Sequence, residues 1–175
     1  MSGKILFETW RCACGKTVSG VRSAALIERC RIREVVADPV SGLYREIRTD
    51  GDAAWAVCTF GEGRAVYTET LGIENGIPCV THTLEFQTGR MDARSRELIA
   101  ATTAASLCGI VAVVTAAEGH SFVVGYSEEL GDERPLRLVS ATGTTGKKPA
   151  DLSGETVTLR SCDTSKARLY DGSPL

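Results

Sequence analysis

Between positions 26 and 87 the apolar residues come in short bursts, many of them Val, Ile, Leu, Tyr or Thr, separated by turn-forming residues. Bursts of this length with β-branched content predict strands rather than helices. They fall at 26–36, 43–49, 54–60, 64–71 and 79–86. The breaks between them are Asp38-Pro39-Val40-Ser41-Gly42, Asp50-Gly51-Asp52, Gly61-Glu62-Gly63 and Glu74-Asn75-Gly76. Proline fixes one backbone angle in such a turn and glycine tolerates the opposite sign, so the chain can reverse within a few residues. Strands joined this way predict an antiparallel meander. Residues 5–10 are a further strand candidate, followed by a loop of small residues at 12–20.

The period changes after Gly89. Asp92 can cap a helix, and Leu98, Ala101, Thr102, Ala105 and Cys108 then recur at helical spacing. Most of these are small, which lets the helix approach a sheet closely, and Gly109 can stop it with a positive φ. Ile110-Val111-Ala112-Val113-Val114-Thr115 reads as a buried strand, with 121–127 returning beside it after a turn at 116–120. Further strands are expected at 136–140 and 155–161, and the tail from 173 is expected to fray. The whole predicts an α+β fold in one domain over 1–175. A mostly antiparallel sheet, with an N-terminal meander and C-terminal hairpin strands, packs against one principal helix around residues 92–108.

One stretch bears on solubility. Residues 98–117 run for twenty positions without a charge, the length of a membrane span. They are rich in Ala, Thr and Ser and contain Gly109, so their drive to insert is weak. A buried helix running into a buried strand is expected instead, with no membrane partner.

Composition adds the class. Hydrophobic residues make up 43% and charged residues 24% of 175, which fits a globular chain able to bury a core without a staple. A net charge of −2 gives no global attraction to a polyanion, and no run of five like charges supplies a local one. Nucleic acid is therefore not an expected partner. The seven cysteines cannot all pair, and several lie in apolar runs, where cysteine behaves as a small hydrophobe. The N-terminus lacks an apolar signal core. Reduced thiols and a cytoplasmic location follow as expectations.

Candidate chemistry centres on His82. Alternation along 79–86 places Val80, His82, Leu84 and Phe86 on one face and Thr81, Thr83 and Glu85 on the other. The apolar set should face the core and carry His82 with it. A buried imidazole there can act as a base, orient a ligand, or be a core histidine satisfied by a backbone carbonyl. Arg90, Arg94 and Arg96 surround the expected helix start, a ready place for an anion. With His120 they form the candidate ligand-binding set.

Other features weigh less. Cys12-Ala13-Cys14 could hold a metal or form a redox pair, but a zinc site needs a second pair of ligands and none is spaced for it. Cys108 lies at the expected helix C-terminus, where the dipole disfavours a thiolate. Cys79 and His82 point to opposite faces, so that strand alone cannot build a dyad. Arg29, Arg31 and Arg33 would share a strand face, with Arg48 beside them, and read as a charged solvent surface. Residues 141–148, ending in Gly146-Lys147-Lys148, resemble a phosphate loop only superficially, since Lys148 stands where a Ser or Thr belongs.

Three functions are compatible with these residues. The first is a soluble intracellular domain binding a small organic ligand in a pocket near His82, with the ligand's anionic character and enzymatic activity both left open. The second is a non-catalytic module that assembles into homo-oligomers through its strand edges. The third is a metal or thiol-redox protein using Cys12 and Cys14. No cofactor fingerprint points to a particular group.

Overall fold

The computed structural model describes residues 18–148, 151 and 153–172. The elements, in chain order, are β1 (Val21–Glu28), a 3-10 turn (Arg29–Arg31), β2 (Ile32–Ala37), β3 (Tyr44–Thr49), β4 (Ala56–Thr59), β5 (Ala65–Glu74), β6 (Ile77–Gln87), α1 (Ala93–Cys108), β7 (Ile110–Ala116), β8 (Ser121–Val124), β9 (Arg137–Thr144), β10 (Gly154–Asp163) and β11 (Arg168–Tyr170). The α+β class and the single principal helix expected from the sequence are both present.

The strands form two sheets. One runs β2-β3-β11-β8-β7-β1-β4, and the other runs β5-β6-β10-β9. All pairings are antiparallel except one, where β11 meets β3 in parallel at Tyr170 and Tyr44. The expected meander is corrected here. The β2–β3 and β5–β6 hairpins do form. However, β4 leaves β3 to pair with β1, and β5 opens the second sheet. Asp50-Gly51-Asp52 therefore turns the chain without making a hairpin.

The expected strand at 26–36 is also two strands. β1 lies inside its sheet, between β7 and β4, with Ala24, Ala25, Leu26 and Ile27 buried on both faces. A strand enclosed on both faces cannot continue into Arg29 and Arg31 without burying their charges. The chain breaks there, and β2 restarts at the far edge of the same sheet.

Alternation decides the layers. Leu84 and Phe86 of β6, and Val157 and Leu159 of β10, face one cluster with Leu26 of β1 and Ile110, Ala112 and Val114 of β7. This is the core between the two sheets. The opposite faces of β1 and β7, with Ala25, Ile27, Val111 and Val113, share a second cluster with Tyr44, Val35 and Ile47 of β2 and β3. Strands several places apart in one sheet thus meet across its concave side, so the larger sheet curls on itself. β7 is buried on both faces, which explains its unbroken apolar sequence.

The helix packs beside this core through a narrow stripe of Ser95, Leu98, Ile99, Thr102, Ala105 and Ser106. Asp92 caps its start: the Ser95 backbone N–H donates to the Asp92 carboxylate, and the Asp92 N–H donates to the Ser95 hydroxyl. At its other end the Ser106 hydroxyl accepts the Leu138 backbone N–H at 2.7 Å. Gly109 closes the helix at φ +105°, and a Cβ there would lie 2.4 Å from the Pro135 ring. No helix among the described residues is long and apolar enough to cross a membrane.

Candidate functional site

The inner face of β6 carries Val80, His82, Leu84 and Phe86, each no more than 2% exposed, as alternation requires. His82 lies opposite Glu69 of β5 on one side and Ser161 of β10 on the other. Its Nε2 is 3.2 Å from the carbonyl of Ser165. A carbonyl only accepts, so Nε2 carries the hydrogen. Its Nδ1 is 2.8 Å from the Tyr67 hydroxyl, which in turn lies 2.8 Å from Glu69 Oε1. That same oxygen accepts the Ala167 backbone N–H at 2.8 Å.

The result is a hydrogen-bonded chain, Ser165–His82–Tyr67–Glu69–Ala167, that begins and ends on the loop joining β10 to β11. Burial and the Glu69 carboxylate push the Tyr67 phenol up, so it keeps its hydrogen and donates it to Glu69 Oε1, with its oxygen against His82 Nδ1. Tyr67 also packs against Phe122 of the facing sheet, with ring centroids 5.9 Å apart. Beside His82, the Ser161 hydroxyl is buried and has no hydrogen-bond partner among the described residues.

A pocket of about 330 Å³ opens next to this chain, lined by Tyr67, Glu69, Phe122, Val114 and Lys166. His82 lies behind Tyr67 and Glu69 and does not line it. The groups presented to the pocket are a phenol, a carboxylate and a lysine. Tyr67 and Glu69 escaped the sequence reading. The available signal was alternation in 65–69, which puts Ala65, Tyr67 and Glu69 on one face.

The arginines at the helix start divide. Arg90 and Arg94 are exposed and line a cleft of about 520 Å³ with Cys58, Phe60 and Gln87. Arg96 instead turns to Glu155, with Nε 3.0 Å from Oε1. The contact is close, yet the N–H does not aim at that oxygen, so the link is one of charge rather than a directed hydrogen bond. Asp92 lines the same cleft and already occupies the helix N-terminus with a carboxylate. Burial pushes the Cys58 thiol up, with Arg94 partly offsetting it. His120 stands exposed in the turn between β7 and β8 and lines neither pocket.

The arginine row does not form. Arg29 and Arg31 sit in the 3-10 turn, paired with Asp132 and with Glu28 and Asp52. Arg33 pairs with Asp50, and Arg48 with Glu34 and Glu46. The glycine-rich segment ends β9 and then folds onto its own acid. The N–H groups of Lys147 and Lys148 both donate to Asp151 Oδ2, at 2.9 and 2.8 Å. Cys12 and Cys14 lie outside the described residues.

The smaller sheet presents a different feature. Among the described residues its terminal strands, β5 and β9, each have one edge without a strand partner, the β9 edge being met by α1 at Leu138. The β5–β6 hairpin closes through Asn75 and Gly76, both at positive φ, the geometry of a tight two-residue turn. Leu71, Ile73 and Ile77 near that turn are 57–76% exposed, and Val139 on β9 is 52% exposed. No family model, no curated protein and no solved structure matches this chain.

Proposed function

We propose that the protein is a non-catalytic assembly module whose four-stranded sheet continues through further copies of the same chain. The observation that carries this is the pair of edges without a strand partner, among the described residues, at opposite sides of one sheet: β5 over ten residues, and β9 beyond Leu138, whose N–H the Ser106 hydroxyl takes. An unpaired edge is a template for another strand, and monomeric proteins blunt it with Lys, Pro or a cover. Neither β5 nor β9 contains Lys or Pro, and exposed Leu71, Ile73 and Val139 add apolar surface. The two edges differ, so a β5-to-β9 contact is head-to-tail and builds a ring or a filament. Free thiols at Cys30, Cys58, Cys79, Cys108 and Cys162 suit a reducing, cytoplasmic setting.

Sedimentation velocity with light scattering tests this. The expected result is a species at a multiple of the 18.6 kDa chain mass. Ile73→Lys and Val139→Lys should each return it to monomer with the thermal midpoint of the monomeric fold retained. A wild-type chain that stays monomeric at high micromolar concentration overturns the proposal.

A second reading, a domain that binds a small anionic organic ligand near His82, is favoured by the pocket that Tyr67, Glu69 and Lys166 share. Screening small organic acids by thermal shift would test it. The reading requires at least one that stabilises wild type and loses its effect in Lys166→Ala.

A further inference from the structure

The antiparallel ladder between β1 and β7 ends where Glu28 faces Ile110. The pairing of the two segments continues past that point. The Arg29 N–H donates to the Gly109 carbonyl at 2.9 Å. A Cβ built on Gly109 would lie 3.8 Å from that of Arg29. Cys30 and Cys108 are the next residues outward from this bonded pair, Cys30 within the 3-10 turn and Cys108 at the end of α1.

The Arg29–Gly109 bond holds the two backbones side by side at the residues next to the two cysteines. A disulfide spans Cα separations of about 4.4–6.8 Å. Hydrogen bonding to Cys108 is the main cause that pushes the Cys30 thiol up, as their adjacent backbones allow. Cys30 is exposed and Cys108 half-buried, so a small disulfide can reach the first and be displaced by the second. Cys79 and Cys162 are also neighbours, but there the register faces Cys162 with Thr81, leaving the two cysteines on a diagonal. A diagonal is about 7–8 Å, beyond a bridge without backbone movement.

We infer that Cys30 and Cys108 are an oxidisable pair that closes into an intrachain disulfide, stapling the end of α1 to the turn between β1 and β2. With oxidised glutathione as the oxidant, the Cys30 thiolate attacks one glutathione sulfur. The glutathione disulfide breaks, a mixed disulfide forms on Cys30, and one glutathione leaves. The Cys108 thiolate then attacks the Cys30 sulfur and expels the second glutathione. The two protons lost from the protein end on the two released thiols, and two electrons pass to glutathione. Nearly half the chain lies inside the ring so formed, so closing it restricts the unfolded state strongly.

The test is incubation of the full chain with oxidised glutathione, alkylation of the remaining thiols, and peptide mapping without reduction. The expected product is a linked peptide pair carrying Cys30 and Cys108, with Cys58 alkylated. Its formation rate should rise about tenfold per pH unit between about pH 7 and 8, as the thiolate fraction grows. The thermal midpoint should rise by several degrees and return on reduction. In Cys108→Ser the reaction should stop at glutathione bound to Cys30. Recovery of Cys30 linked mainly to another cysteine, or of Cys30 and Cys108 both alkylated while other thiols oxidise, overturns the inference. The wild-type map stands whether or not the variant folds.

Discussion

Replacing Tyr67 by Phe removes one oxygen from the middle of the chain that runs from Ser165 to Ala167. The ring and its packing on Phe122 stay, so the change reports on hydrogen bonding alone. Two contacts of 2.8 Å are lost, to His82 Nδ1 and to Glu69 Oε1. Each net hydrogen bond is worth about 1 kcal/mol, and a buried group left without a partner costs about 1–3 kcal/mol. Glu69 keeps the Ala167 N–H, whereas the Nδ1 of His82, 2% exposed, faces the phenol and only the distant Glu69 at 3.6 Å. The cost should fall at about 2–4 kcal/mol, which in a chain of this length lowers the thermal midpoint by about 5–15 °C. The assay is a double-mutant cycle by urea denaturation with Tyr67→Phe, His82→Leu and the pair. Because the second change removes the orphaned nitrogen, the double variant should cost less than the sum by about 0.5–3 kcal/mol. Strict additivity would mean that the phenol and the imidazole do not depend on one another, and the hydrogen-bonded chain would be refuted.

Two further outcomes can be read from the helix. The Asp92 carboxyl is held below its ordinary 3.8, chiefly by the Ser95 backbone N–H. Its folded form favours the charged state, so the stability it adds is complete above that value and is lost as pH falls through the lower folded value. Asn can still cap, so Asp92→Asn should flatten the fall in thermal midpoint between about pH 5 and pH 2; parallel curves would remove Asp92 from the account. At the other end, Gly109→Ala should destabilise by at least about 1–3 kcal/mol from backbone strain, with the Pro135 clash added. A variant within about 0.5 kcal/mol of wild type, the scatter of ordinary surface substitutions, would contradict the positive φ.

The inner face of β6 was legible because period-two alternation there is strong: Val80, Leu84 and Phe86 leave no choice of face, and His82 is carried with them. The helix was legible because Asp92 and Gly109 mark its ends by local chemistry. What failed was everything set by partners far along the chain. The apolar run through residue 36 gives no sign of a break at Arg29, since the break follows from the enclosure of β1 and from the Gly109 carbonyl that captures the Arg29 N–H. The three residues of β11 are too few to establish a period. The glycine-rich segment advertises free backbone N–H groups, and only the fold reveals that Asp151 fills them. Tyr67 and Glu69 become meaningful only when register places Glu69 opposite His82.

The position of β11 has a consequence for the order of events during synthesis. Among the described residues the β2–β3 hairpin joins the rest of its sheet through β11 alone, which is inserted between β3 and β8. Ribosomes deliver residues 32–49 early and residues 168–170 late, so an N-terminal hairpin must wait for the last strand before its ladder can be completed. Until Tyr170 arrives, β3 and β8 both expose bare backbone. A nascent chain stalled short of that residue would hold two docking edges that β11 fills in the finished sheet.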